Sequence, residues 1–440
     1  MKKTAPFLPV GFLLKPSALG PLIAAAFAIT EAPAAPLAES TSNEVQMHLR
    51  LGERDLLVRS GPPVVVSVAD KSYGWGFYQF PRLARLGDGR LGIKWAMHPD
   101  SILSYGKADH GAAVSEEGRR WQSVTELPDE FETVAVHDGS RIKIHTPEAV
   151  SIDPAKMPAP VAEMFDKTRK LQRLYYRHSE LPERFQGVFL LRQPPGNAEW
   201  HEERAELVDP NAVRYSRGGL MPVVWWGDIR SEPDGALMAG VYPGYSIDER
   251  GKVETKSGVF FYRSHDAGRS WAIVSRIPYR PDQEYDAIAS DRLGFTEPAF
   301  YILSDGTYLC IVRTSDVVGV GPMYQSMSQD HGATWSPPQV MARTGVLPKL
   351  LQLENGVIVL SAGRPGVQLR FSHPENIGTW SEALEMLPYA GDRDSVSCGY
   401  TDLLATGPDR FLLVYSDFRY PAGDAARKAI LVREFVVSRK

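Results

Sequence analysis

Residues 294–315 read GFTEPAFYILSDGTYLCIVRTS. An apolar run leads to Leu303, an Asp-Gly pair turns the chain at Gly306, and a second apolar run stops at Arg313. That is the pattern of a β-hairpin. A hairpin that only fills a core needs neither the carboxylate of Glu297 near its start nor the guanidinium of Arg313 near its end. Both are candidates for a polar site at the strand ends.

The same signal recurs along the chain. FPRLARLGDGRLGIKW turns at Gly89, ETVAVHDGSRIKIH at Gly139, DIRSEPDGALMAGVY at Gly235, and LLQLENGVIVLSAGR at Gly356. DLLATGPDRFLLVYSD turns near Asp409, and the successive gaps are 50, 96, 71, 50 and 53 residues. A two-residue hairpin turn is expected at each. A unit near 50 residues with four strands has the size of a propeller blade. Six hairpins therefore predict an all-β, six-bladed β-propeller of four-stranded antiparallel blades over residues 60–440. The wide gap after Gly139 holds PAPVAEMFDKTRKLQRLYYRHSELPERF, which reads as a partly helical insertion on one blade around residues 155–185. Its lysines and arginines read as a solvated face.

A second pattern lies out of phase with the first. SHDAGRSW (264–271) and SQDHGATW (328–335) share Ser-x-Asp-x-Gly-x-Ser/Thr-Trp, and VSEEGRRW and SHPENIGTW are decayed versions ending at Trp121 and Trp380. The Asp can cap backbone N–H groups, the Gly can take a positive φ, and the Trp can tuck beneath the loop. This is a turn device that carries no chemistry.

The bulk composition excludes several partners. A net charge of −4 over 440 residues offers no basic field for nucleic acid or an acidic membrane. Lys2 and Lys3, an apolar stretch and Ala32-Pro33-Ala34 make residues 1–34 read as a secretory signal peptide. Lys15 and Pro16 break that stretch, which disfavours a membrane anchor. The expectation is a secreted or periplasmic protein, with an N-terminal segment at 35–59 ahead of the propeller and no bilayer span. Cys310 and Cys398 could pair in an oxidising compartment, but Cys310 sits in an apolar strand and reads as a buried free thiol. His98, His110, His137 and His145 lack metal-ligand spacing, so no metal or cofactor is expected.

Two well-kept Ser-x-Asp-x-Gly motifs joined to blade-sized repeats make the chain resemble the sialidase superfamily of six-bladed propellers, the Asp-box or BNR-repeat fold, over roughly residues 60–435. The resemblance implies a glycosidase with its site at the propeller axis, a tyrosine nucleophile paired with a glutamate, an aspartate acid/base, and arginines that clamp a carboxylate. TEPAFYILSDGTYLCIVR is similar to the segment holding the paired glutamate and second arginine, which implies Glu297 and Arg313. SAGRPGVQLRFS resembles the strand of the third arginine, Arg364, and GYTDLLATGPDRFLLVYSD resembles the nucleophile segment, Tyr400. HPDS offers Asp100 as the acid/base. Where the family's first arginine precedes Ile-Pro, this chain reads YQFP, which puts Gln79 in the substrate clamp beside Arg313 and Arg364. Arg82, an odd number of residues further on, is expected to face the other side of the strand. The acid that steadies the first arginine is also replaced, by Ser416, so both halves of that ion pair are absent together.

Three activities are compatible with these residues. One is a retaining exo-glycosidase, working as a monomer, that removes sialic acid or a related sugar acid from a glycan. The second is a same-fold enzyme on another anionic polysaccharide, hydrolase or lyase; a lyase would draw on His98, Tyr105, His110 and Tyr245. The third is a propeller that binds glycans without cleaving them.

Overall fold

The computed structural model describes residues 45–440 apart from 52, 108, 129, 168, 198, 316–318 and 389–395. The expected signal peptide at 1–34 and the first part of the 35–59 segment lie outside the described residues. The described chain is an all-β propeller. Its blades begin on inner strands Phe77–Arg85, Val134–Ala135, Trp226–Ser231, Phe295–Ile302, Val346–Gln352 and Thr401–Gly407. From the second blade onward successive inner strands pack side by side, and the last packs on the first, so they ring a central axis. No helix among the described residues is long and apolar enough to cross a membrane.

The ring closes by strand exchange between the two chain ends. The final strand, Ala425–Arg439, pairs on one edge with Arg410–Ala422 and on the other with both Arg54–Ser60 and Val64–Val68. Val45–Leu51 then pairs with Arg54–Ser60. From Val45 onward, the segment set apart at 35–59 is thus part of the sixth blade. Apolar clusters seal most blade boundaries. Val359, Leu369 and Phe371 meet Phe411, Leu431 and Phe435 between blades 5 and 6, where Phe411 and Phe435 stack at 4.9 Å. Cys310 and Cys398 are both buried and unpaired with each other.

The Asp-Gly turns have three-residue loops where two were expected. At Gly89 the N–H donates to Leu86 O (2.9 Å) while the Leu86 N–H donates to Arg90 O (2.7 Å). The same pair of bonds recurs around Gly139, Gly235, Gly306 and Gly356. Each glycine has φ between 81° and 88°. This is a type I turn closed by a left-handed glycine, a geometry that needs only one positive φ. The Asp carboxylate explains the choice. Asp88, Asp138, Asp234 and Asp305 each accept from the N–H two residues on, at 2.9–3.0 Å, which fixes the turn without a second left-handed residue.

The 264–271 turn joins the third and fourth strands of blade 3. Asp266 Oδ1 accepts from the N–H groups of Arg269 and Ser270, and Trp271 Nε1 donates to Gly268 O at 3.0 Å. Asp330 caps the equivalent turn of blade 4 through Thr334 N at 2.9 Å.

The insertion is a sheet, not a helix. Val150–Ser151, Ala162–Asp166 and Leu171–Arg177 combine with Val213–Arg217 and Leu220–Met221, which follow blade 2 in the chain, into a separate five-stranded sheet. Helical character reduces to three single 3-10 turns at 154–156, 178–180 and 183–185. Lys167, Arg169 and Lys170, whose charges read as a solvated face, lie in the turn between two strands. Beyond the turn, Arg173 and Tyr175 alternate inward, and Tyr175 packs on Tyr245 at 5.1 Å.

Candidate active site

The axial site is built by one backbone device used repeatedly. In blades 1, 4 and 5 the inner strand carries an extra residue near its start, with register shifts at Gln79/Arg82, Thr296/Ala299 and Val346/Lys349. Each of these β-bulges holds a residue at positive φ directly before a proline: Phe80 (53°), Glu297 (50°) and Leu347 (37°), followed by Pro81, Pro298 and Pro348. A proline lacks an N–H, so it suits a position where the ladder bond is already lost. Strained left-handed backbone at non-glycine residues concentrates where side chains are aimed at a ligand. Here Phe80, Glu297 and Leu347 all line a cavity of about 700 Å³ at the axis.

Position relative to the hairpin turn predicts what each strand contributes. Nine residues before the turn residue stand Phe80, Glu130, Trp226, Glu297, Leu347 and Tyr400, and all but Glu130 line the cavity. Seven residues before it stand Arg82, Glu132, Asp228, Ala299, Lys349 and Asp402, a layer charged in every blade but the fourth. Arg82, Glu132, Asp228 and Lys349 also line the cavity, while Asp402 lines a second chamber of about 690 Å³ bordered by residues of all six blades. Within the layer, Arg82 and Glu132 pair at 2.9 Å and Lys349 reaches Glu132 at 3.3 Å. Desolvation within the channel pushes the Glu132 carboxyl up, but Arg82, Lys349 and Lys94 outweigh it and hold the group at about 2.

On this floor the structure brings Tyr400, Glu297, Arg313, Arg364 and Asp100 into one cavity. The Tyr400 hydroxyl donates to Glu297 Oε1 in a very short contact. Glu297 Oε2 forms an ion pair with Arg313 Nε at 3.0 Å and accepts from the Leu347 N–H at 2.9 Å. Arg313 Nε also donates to Thr296 Oγ1 at 3.2 Å. Arg364 Nη2 donates to the Cys398 carbonyl at 3.0 Å, and its guanidinium lies over the rings of Trp75 (5.3 Å) and Tyr400 (5.8 Å). Asp100 is exposed and accepts from Trp75 Nε1 at 3.0 Å.

These contacts define what the pair can do. Burial, then the Glu297 charge, push the Tyr400 phenol well above its usual range, against the pull of Arg313 and Arg364. The phenol is therefore neutral at pH 7, and it can become a nucleophile only as Glu297 takes its proton. Aromatic faces border the Tyr400–Glu297 pair. Phe80 packs on Tyr400 at 4.8 Å, while across the cavity Trp226 sits between Tyr105 and Tyr242, 5.4 Å from each.

Gln79 is not in this cavity wall. It is fully buried, and both amide atoms lack a hydrogen-bond partner among the described residues. Arg82 lines the cavity instead. The odd-number argument fails at the bulge: Gln79 pairs with Ala96 and Arg82 with Lys94, so three steps on this strand span two on its partner. Ser416 is buried against Ser397 and Cys398, each at 3.2 Å. Of the other residues considered, His98 and Tyr105 line the cavity and His110 lines the second chamber, whereas Tyr245 is buried against Tyr175 and Tyr215. Sequence reasoning missed Trp75, Phe80, Glu132, Trp226 and Lys349, although the spacing to the turn marks four of these five. It also missed Arg169 and Arg217, which the inserted sheet brings to the cavity. Among the described residues no group of three or more His, Cys, Asp or Glu is placed to hold a metal ion.

No protein-family description matches this chain. No curated protein sequence matches it either. Solved structures do. A Dyadobacter fermentans protein of unknown function superposes with a TM-score of 0.57 at 16% identity, covering 87% of this chain and 99% of that one. A Penicillium chrysogenum α-L-arabinanase matches with a TM-score of 0.48 at 15% identity, over 85% and 98% of the two chains. A Streptococcus pneumoniae sialidase matches with a TM-score of 0.44 at 12% identity, over 86% and 70%.

Proposed function

We propose that this protein is a retaining exo-glycosidase that removes a terminal acidic sugar, sialic acid or a related sugar acid, from a glycan. The observation that carries the reading is the Tyr400–Glu297 contact, held in place by Arg313 at the axis of the cavity. A neutral phenol is suited to attack an anomeric carbon that bears a carboxylate, because it avoids like-charge repulsion; Tyr-nucleophile sialidases are the handled exception to the two-carboxylate rule among glycosidases. Arg313 and Arg364 supply the cationic side of the site.

The steps follow from these positions. The Tyr400 oxygen bonds to the anomeric carbon as its proton passes to Glu297 Oε1. The glycosidic C–O bond breaks, and Asp100 protonates the departing oxygen. Water, deprotonated by Asp100, then attacks the same carbon, and the Tyr400 oxygen leaves and recovers its proton from Glu297. Two displacements return the original anomeric configuration.

The test is product analysis on a panel of anionic glycans. A free acidic sugar whose first-formed anomer matches the substrate, seen by NMR, is the expected result. An unsaturated product absorbing in the near ultraviolet would instead assign a lyase, with His98 and Tyr105 as the cavity's base and acid. Binding without any product would leave a glycan-binding propeller.

A further inference from the structure

The inserted sheet brings cations to the cavity that the steps above do not use. Arg169, in the turn after Ala162–Asp166, and Arg217, at the end of Val213–Arg217, both line it. They belong to a corner with unbalanced charge. Asp166 pairs with Arg173 at 3.1 Å and with Arg169 at 3.4 Å, and Arg173 stands opposite Arg217 in the strand register. Arg217 has no carboxylate partner among the described residues. Asp166 therefore balances two guanidinium groups, and Arg217 adds a third charge, at the cavity wall. A guanidinium at a cavity wall attracts an anion, and it is the group best matched to a carboxylate fork.

A line of aromatic rings connects this corner to the reacting centre. Tyr242, Trp226 and Tyr105 all line the cavity, with Trp226 tilted against Tyr242 and edge-on to Tyr105, 5.4 Å from each. Asp100, which would protonate the leaving oxygen, lines the same cavity.

We propose that Arg169 and Arg217 form a second carboxylate subsite, which holds the sugar next to the one being released, so that the preferred substrate carries two adjacent acidic sugars. This rests on reading the cavity as an acidic-sugar site. The terminal sugar lies between Tyr400 and the Arg313/Arg364 pair, and its acidic neighbour lies across Trp226 with its carboxylate on the inserted sheet.

The experiment separates binding from cleavage. Four probes are used: α2,8-linked disialic acid, digalacturonic acid, and the analogue of each whose reducing-end carboxylate is a methyl ester. Affinity is measured by calorimetry on Tyr400→Phe, and sugar release on the unaltered protein. In at least one matched pair the diacid should bind about tenfold or more tightly than its ester, as expected for one charge-assisted carboxylate contact. Arg169→Gln with Arg217→Gln should abolish that preference and leave the ester's affinity within about twofold. Arg217→Lys, which keeps the charge, should retain part of it. Should the double variant not fold, Arg169→Gln alone, on an exposed turn, should still lower the preference.

The outcomes distinguish the subsite from the activity. Equal binding of diacid and ester by the Tyr400→Phe protein, or a preference that survives the double variant, overturns the subsite even where sugar is released. A preference that depends on the two arginines without any release supports the subsite and removes the glycosidase reading. Failure of all four probes to bind overturns both.

Discussion

Blades 4 and 2 begin from the same Asp-Gly turn and end up doing different work. Blade 4 has an eight-residue inner strand, Phe295–Ile302, with a bulge that presents Glu297 to the axis. Blade 2 has only Val134–Ala135 as its inner strand, and its left-handed residue, Glu132, lies before the strand. Blade 4 is sealed against its neighbours by Phe261, Phe295, Phe300 and Tyr308 on one side and by Leu309, Ile311, Leu350 and Leu360 on the other. Between blades 2 and 1 the contacts include the Arg82–Glu132 pair and Lys94 over the Phe131 ring at 4.6 Å. The turn specifies a blade, but the residues before it decide whether that blade presents a bulged carboxylate on a long strand or a short strand with a polar boundary.

The largest expected effect tests that distinction directly. Glu297→Gln keeps the side chain's size and an acceptor for the Leu347 N–H but removes the base for Tyr400. Turnover should fall by about 10²–10⁴, the usual range for losing a general base. Glu132→Gln, at the left-handed residue of blade 2, should change turnover only about threefold or less, because Glu132 contacts Arg82 and Lys349 and not Tyr400. Equal losses in the two variants would erase the functional difference between the blades.

A smaller effect should come from acid, and from the blade 2 side of the molecule. His178 lies in the insertion that leaves blade 2, is 6% exposed, and accepts from the Gly187 N–H through Nε2 at 2.8 Å. Burial, with Arg214 assisting, lowers its pKa from 6.5 to about 4. Between these values the unfolded chain binds a proton that the folded chain refuses, so stability rises with pH there. The contribution is complete above pH 6.5 and is lost progressively as pH falls toward 4. The melting temperature should drop over that interval, and His178→Gln should flatten part of the slope. A slope unchanged by the substitution would show that other groups carry the acid sensitivity.

The blades were legible in the sequence because the Asp-Gly turn is local chemistry: one carboxylate, one glycine, one φ. Glu297, Arg313, Arg364 and Tyr400 are singled out by the resemblance of their segments to sialidase motifs, and each opens the first strand or closes the second strand beside one of those turns. What failed was phase and period. The bulge at Gln79–Arg82 inserts one residue, and no alternation rule registers an inserted residue. The five-stranded insertion is assembled from segments on both sides of blade 2's last two strands, so its pairing is invisible in any local window. For that reason Arg169 reads as part of a solvated face and Arg217 carries no signal at all.

The smallest expected effect concerns Gln79, where that phase error has its clearest consequence. The amide is fully buried and unpartnered, one residue from a side chain that does face the cavity. A buried amide without partners costs roughly 1–3 kcal/mol relative to an apolar group of the same shape. Gln79→Met preserves the length of the side chain and removes both polar atoms. It should therefore raise the melting temperature by a few degrees at most, and leave KM and kcat within about twofold. A lowered melting temperature would mean that a water molecule satisfies the amide. A raised KM at unchanged kcat would place Gln79 in contact with substrate after all, and with it a third member beside Arg313 and Arg364.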